Sequence, residues 1–370
     1  MKSIKPKILF LRLYIENKSE EESEMKKTVI FVILISIVVT MSSCGGTRET
    51  TNPVNVTQGN NESVAPSNFS EDSKTNTFSE KKCGNNAYWD YNNGQLTITG
   101  SGDIYDFYVE LDPNSVQTSW ISDMPWFDVK RDIKQITVSD GITKIGTNSF
   151  RGCYSAQIIT MPESLVSIGE MAFAGCLSLE TIVIPDSVKT LGERAFWNCG
   201  VKNLVLGSGI EKCGKIICKD CDNLTTLTLK EGIKEIGEEA FKGCSGISRI
   251  ELPNGLKNVG EAAFSDCSGV REIIIGSGLT KIPAHLFSGC RSETLVIPEG
   301  VTSIGIGAFY GNKTVTSITL PSTLTSISKW AFTQCDKLKD VYFNGTQEQW
   351  RAITKEKGNE PLTKANIHYQ

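Results

Sequence analysis

Cys213, Cys218 and Cys221 stand in the fragment IEKCGKIICKDC as C-x4-C-x2-C. Thiolates at that spacing can hold a metal ion, and a CxxC pair can cycle between dithiol and disulfide. Either use needs company that the sequence does not supply. There is no second CxxC, and His285 and His368 are the only histidines among 370 residues. Acid–base chemistry would then rest on carboxylates. Glu170, Glu193, Glu238 and Glu261 do recur, each three residues before a phenylalanine. They read as a solvated column rather than as catalytic pairs. No nucleophile elbow, P-loop, Rossmann fingerprint or zinc-protease motif is present. The chain therefore reads as a non-enzyme that needs no cofactor or metal.

The cysteines make more sense as members of a column. Phe150, Phe173, Phe196, Cys218, Phe241, Phe264, Phe287, Phe309 and Phe332 follow one another at steps of 22 or 23 residues. Three places further on, Cys153, Cys176, Cys199, Cys221, Cys244, Cys267, Cys290, Asn312 and Cys335 keep the same steps. A fixed period of this length marks a solenoid of the leucine-rich-repeat kind. Cys218 is then the Phe place of the fourth unit, and Cys213 replaces an Ile or Leu. A disulfide between Cys213 and Cys218 stays open as a competing expectation. The column itself reads as buried thiols, because Asn312 takes one cysteine place and a disulfide cysteine could not share it. Such a side chain would bond the backbone of its turn.

Each unit carries two apolar side chains fourteen and twelve residues before its Phe, as in Ile182 and Ile184 of ETIVIPDSVKTLG. Alternation of period two puts both on one face of a short strand. Two further apolar places follow, such as Val188 and Leu191, and then commonly a Gly, such as Gly192 or Gly237. That Gly is expected to supply positive φ or a close backbone approach. No unit buries its apolar face alone, and stacking makes one continuous core.

The unit SLETIVIPDSVKTLGERAFWNC resembles the BspA-like class of leucine-rich repeats of bacterial surface proteins. KKCGNNAYWDYNNGQLTITGSGDIYDF with MPWFDVK resembles the N-terminal cap of that class, and KDVYFNGTQEQWRAITKEKGNEPLTKANIHY its C-terminal cap. The resemblance implies nine 22–23-residue coils with parallel strands over residues 133–338, between caps at 81–132 and 339–370. It further implies a cell-surface protein of the adhesion type, with partners that vary between members. In the C-terminal cap, Thr346 and Gln349 have capping-box spacing, and Trp350 and Ile353 share a helical face.

The N-terminal portion gives an address. MKKTVIFVILISIVVTMSSCGG begins at Met25 with a basic pair and an apolar run of signal-peptide length. It is shorter than a membrane span. It resembles a bacterial lipoprotein signal with Cys44 as the lipidated first mature residue, although Met41 departs from the preferred Leu. Residues 1–44 are thus read as leader and signal, with translation starting at Met25 or, as the competing expectation, with residues 1–24 as an extended leader. Residues 45–80 are rich in Ser, Thr and Asn and read as a disordered tether. The expected location is the cell envelope, at the exposed outer membrane, held by lipid alone. Formal charge is −4 without a clustered Lys/Arg run, which argues against nucleic acid as a partner.

A solenoid binds through positions free to vary. Between the two strand core places lie Thr137, Thr160, Val183, Val205, Thr228, Glu251, Ile274, Val296 and Thr319, all expected to point outward. An ordinary β-branched solvent face reads the same way, but Val183 with Val205 and Ile274 with Val296 put apolar pairs on adjacent coils. Trp197 and Tyr310, each just after the repeat Phe, read either as partner anchors or as core. The expected partner of this monomeric chain is a protein, of host matrix, plasma or envelope origin. A glycan-binding role in nutrient capture competes, against which the strand strip shows no aromatic platform. A structural envelope spacer is the third reading.

Overall fold

The structure, a computed structural model, describes residues 81–111 and 120–370. The leader, the tether and Cys44 lie outside the described residues. Nine coils follow one another, each with a long and a short parallel strand. The long strands run from Gln135–Val138 in coil one to Ser317–Leu320 in coil nine; the short ones run from Ile142–Ile145 to Ser326–Ile327. Each strand pairs in parallel with its counterpart a coil away, so like residues sit over like: Leu204 pairs with Ile182 on one side and Leu227 on the other.

That register makes the core. Ile136, Ile182, Leu204, Ile250, Leu295 and Ile318 are buried from the strand column, while Ile159 and Leu227 are only half-buried. Phe rings stack along the axis, with centroids 5.2 Å apart for Phe150–Phe173 and 5.4 Å for Phe173–Phe196. The stack resumes at Phe241 and runs to Phe332. Coil four, with Cys218, interrupts it.

The turn around each Phe is held by a second ladder. The Phe173 N–H donates to the Ala195 carbonyl at 2.8 Å, and Phe241 to Ala263 at 2.8 Å. The residue two before the Phe also donates to the next coil, and it takes positive φ: Met171 at 51°, Arg194 at 55°, Ile216 at 56°. Left-handed backbone is unfavourable for such residues. Here neighbouring coils over-determine it from both sides. The preceding Gly is therefore needed for closeness alone. A Cβ on Gly192 would lie 2.4 Å from the Glu170 nitrogen, and Gly192 does not take positive φ.

The caps copy the repeat. A hairpin of Gly84–Asn92 with Gln95–Ile104 starts the stack, and the second strand pairs with both strands of coil one. Trp126 stacks on Phe150 at 5.6 Å and donates its indole N–H to the Ser149 carbonyl. At the other end α1, Gln347–Ala352, begins with the expected capping box of Thr346 and Gln349, and buries Trp350. Ile353 is buried beside it. The second helix, α2, Glu360–Lys364, follows Asn359. That asparagine is buried and accepts the Phe332 N–H at 3.1 Å, standing in for the carbonyl of a tenth coil.

Candidate interaction face

Cys83 and every cysteine from Cys153 onward are free and buried. The ladder sulfurs donate to the Phe-place carbonyl one coil back: Cys199 to Phe173 at 2.9 Å, Cys267 to Phe241 at 3.2 Å, Cys335 to Phe309 at 3.4 Å. Asn312 makes the same bond to Phe287 at 2.9 Å, and a second to Phe309 of its own turn at 3.2 Å. The bond expected within the turn is thus mainly a bond between coils. Burial pushes the thiols of Cys153 and Cys213 up to about 12, the reverse of a reactive thiolate. The alternative disulfide of Cys213 with Cys218 is not formed: Cys218 instead meets Cys221, Sγ to Sγ 3.0 Å.

The glutamate column faces solvent, and two of its members meet cations. Glu193 pairs with Arg194, and Glu238 with Lys215 at 3.2 Å. A shallow groove along coils three to six is lined by Gly214, Gly237 and Gly260 together with Lys212, Lys215, Glu235 and Glu238. Its charges meet each other, as in Lys212–Glu235 at 3.0 Å.

All nine strip residues lie on the solvent side of their strands. Thr160, Val183, Thr228, Glu251, Ile274 and Val296 are exposed; Thr137, Val205 and Thr319 are half-buried. Val183 is 59% exposed and pairs in register with Val205, so the first apolar pair exists as expected. The second is looser. Ile274 pairs with Glu251 and Val296 with Thr319, and the strand ladder breaks between coils seven and eight. The loop into coil eight is one residue short and buries Ser292, which donates to the Thr294 carbonyl. Further breaks separate coils two from three and five from six. Glu251 is committed to Arg249 at 3.0 Å, and Arg249 also holds Glu272 at 2.6 Å.

Trp197 is half-buried, its side chain beside Asp220 of the next coil. Tyr310 is 37% exposed, and its hydroxyl accepts from Gln334 at 2.8 Å. Neither is core, and each leans on the following coil.

The strip is longer than the repeats suggest. In the C-terminal cap, Asp340–Phe343 pairs with coil nine and Asn366–Tyr369 pairs with it in turn, putting Thr319, Tyr342 and His368 in one row. Tyr342 and His368 stack at 4.7 Å, and His368 Nε2 lies 2.9 Å from the Asp340 carboxylate. The strip does have an aromatic end, contrary to the expectation above. Asp340 stands 23 residues after Ser317, so the period was present in the sequence but lost behind the change to cap residues. Trp330, 45% exposed at positive φ, was also missed, because most other units carry a smaller residue there.

These features can be set beside known proteins. No curated protein matches the chain in sequence. A leucine-rich repeat protein of Bacteroides ovatus has the same fold, with TM-score 0.58 at 21% identity, over 77% of this chain and 76% of that one. A leucine-rich cell surface protein from Faecalibacterium prausnitzii aligns at 21% identity over 74% and 97% of the two chains, with TM-score 0.39. The pneumococcal vaccine antigen PcpA aligns at 17% identity over 78% and 98%, with TM-score 0.40. The BspA type leucine rich repeat region, in six copies, matches residues 124–248 and 234–353. Matched across all nine coils and into both caps, the chain belongs to the BspA-type leucine-rich-repeat family.

Proposed function

We propose that this chain is a non-enzymatic, monomeric surface module that binds a protein partner through its strand face, in adhesion to host matrix or plasma proteins. The observation that carries this reading is the in-register pair Val183 and Val205, an apolar spot flanked on the strip by Thr160 and Thr228. Exposed apolar groups on a rigid sheet favour a contact surface. The test is direct binding of the purified protein to a panel of matrix and plasma proteins. Changing Val183 and Val205 to Ser should weaken a saturable signal about tenfold or more, as loss of an interface anchor does. Equal binding by the variant would move the site to Trp197 and Tyr310.

The Tyr342–His368 stack favours glycan capture as a second reading. One Tyr342 face is covered by His368, so the other is directed toward Thr319, with Asp340 and Asn366 alongside as polar partners. A glycan array separates the two: signal lost on Tyr342→Ala, with protein binding unchanged, would select it.

For the address we propose lipidation at Cys44 and display at the outer membrane, the tether lifting the solenoid from the bilayer. Among the described residues no helix is long and apolar enough to cross a membrane. Incorporation of labelled palmitate, abolished by Cys44→Ser, checks the anchor. Protease shaving of intact cells checks the display.

A further inference from the structure

The interior of coil four holds chemistry that no binding role uses. It alone of the nine coils puts a thiol at the Phe place, so a small side chain occupies a ring-sized position between Phe196 and Phe241. Cys221, the ladder residue three places on, meets it there. The two sulfurs are 3.0 Å apart and sealed from solvent. That is within about 1 Å of a bonded S–S distance of about 2.05 Å. Residues three apart in a turn keep their Cα atoms within about 7 Å, inside the range a disulfide spans. Other ladder cysteines face a Phe ring at this place and have no such neighbour within their own coil.

We propose that Cys218 and Cys221 form a modification site, an internal dithiol that a low-molecular-weight disulfide converts to a disulfide within coil four. One cysteine thiolate attacks a sulfur of the small disulfide, whose S–S bond breaks and releases one thiolate. The second cysteine thiolate then attacks the mixed disulfide and releases the other. The protein gives up two electrons and two protons, and the small disulfide becomes two thiols. Closure ends the bond that Cys221 donates to the Phe196 carbonyl at 3.2 Å. It ties together the coil in which the ring stack is interrupted. Burial holds the Cys221 thiol up to about 11, so exchange proceeds through opening of the coil. This inference stands apart from the strand-face reading and does not depend on it.

The test uses the full chain, reduced and then incubated with oxidised glutathione, in buffer and in urea just below the unfolding midpoint. Remaining thiols are alkylated after denaturation, and the protein is digested with trypsin. Cleavage after Lys215, Lys219 and Lys230 separates residues 216–219 from 220–230, so the proposed bond appears as those two peptides joined. The joined pair should form at least tenfold faster in urea than in buffer, with loss of two alkylatable thiols. It should vanish in Cys221→Asn, which keeps the ladder donor that coil eight uses, and in Cys218→Ala. Joining of 216–219 to 213–215 or to 243–249 would overturn the assignment, as would a chain whose thiols all stay free in both conditions.

Discussion

At Asn312 the ladder of sulfur donors changes to an amide, and the exchange shows what the position requires. It must offer a donor to the Phe287 carbonyl and fit a dry space. Asn312 satisfies the first and leaves its own Oδ1 without a partner. Asn312→Cys should therefore change stability by less than about 1 kcal/mol, whereas Asn312→Leu, leaving the carbonyl orphaned, should cost about 1–3 kcal/mol. Urea titrations of both variants decide it. The thiols also set an alkaline limit. Burial raises Cys83, Cys153, Cys213 and Cys335 to about 12, against about 8.5 in an unfolded chain. Protons held only by the folded state make its stability full below pH about 8.5. It should then fall as pH rises toward 12, by about 1.4 kcal/mol per pH unit for each such thiol. A midpoint in urea that is flat from pH 9 to 11 would contradict this. The sequence made the Cys/Asn equivalence legible because a single exception in a regular column is conspicuous. It could not tell which carbonyl is bonded, since the acceptor lies about 26 residues back and only stacking brings it near.

Within a coil, glycine and proline set how closely successive turns approach. Gly192→Ala would drive a Cβ into the backbone of coil two. Backbone on both sides cannot yield, so the substitution should destabilise by about 1–3 kcal/mol, read as a lowered Tm. Pro283 occupies the same place in coil seven and has no N–H for the Val259 carbonyl, where Gly260 donates to Ile236 at 2.7 Å. The short-strand ladder breaks there, between coils six and seven. This break could be read from the sequence as a proline in a glycine column. The long-strand break between coils seven and eight could not, because it depends on how Ser292 and its loop settle. Asn359 closes the last turn in place of a further coil. Asn359→Leu should leave the Phe332 amide without an acceptor and cost about 1–3 kcal/mol, with faster hydrogen exchange confined to coil nine and the C-terminal cap.

For the molecule as a whole, each coil touches its neighbours and little else, so stability accumulates along the axis. Strands, period and caps were all legible in the sequence, because a repeated pattern averages out local ambiguity. The makeup of the strand face was legible only in part. Position in the repeat says that Val183 and Ile274 both point outward, but not that a ladder break and an Arg249 ion cluster separate them. The aromatic end at Tyr342 and His368 lies beyond the last Phe, where the count of repeats stops. One further consequence follows from the ladder of carbonyls and donors. At the Phe turn, each coil takes its acceptor carbonyl from the next coil in the same way, even where the strand ladders break. A gene segment encoding one whole unit can then be copied or lost in tandem with the Phe-turn bonds between coils formed again at the new junction. The length of the strand face is thus open to inheritance by unit, while the chemistry at its two ends is carried along unchanged.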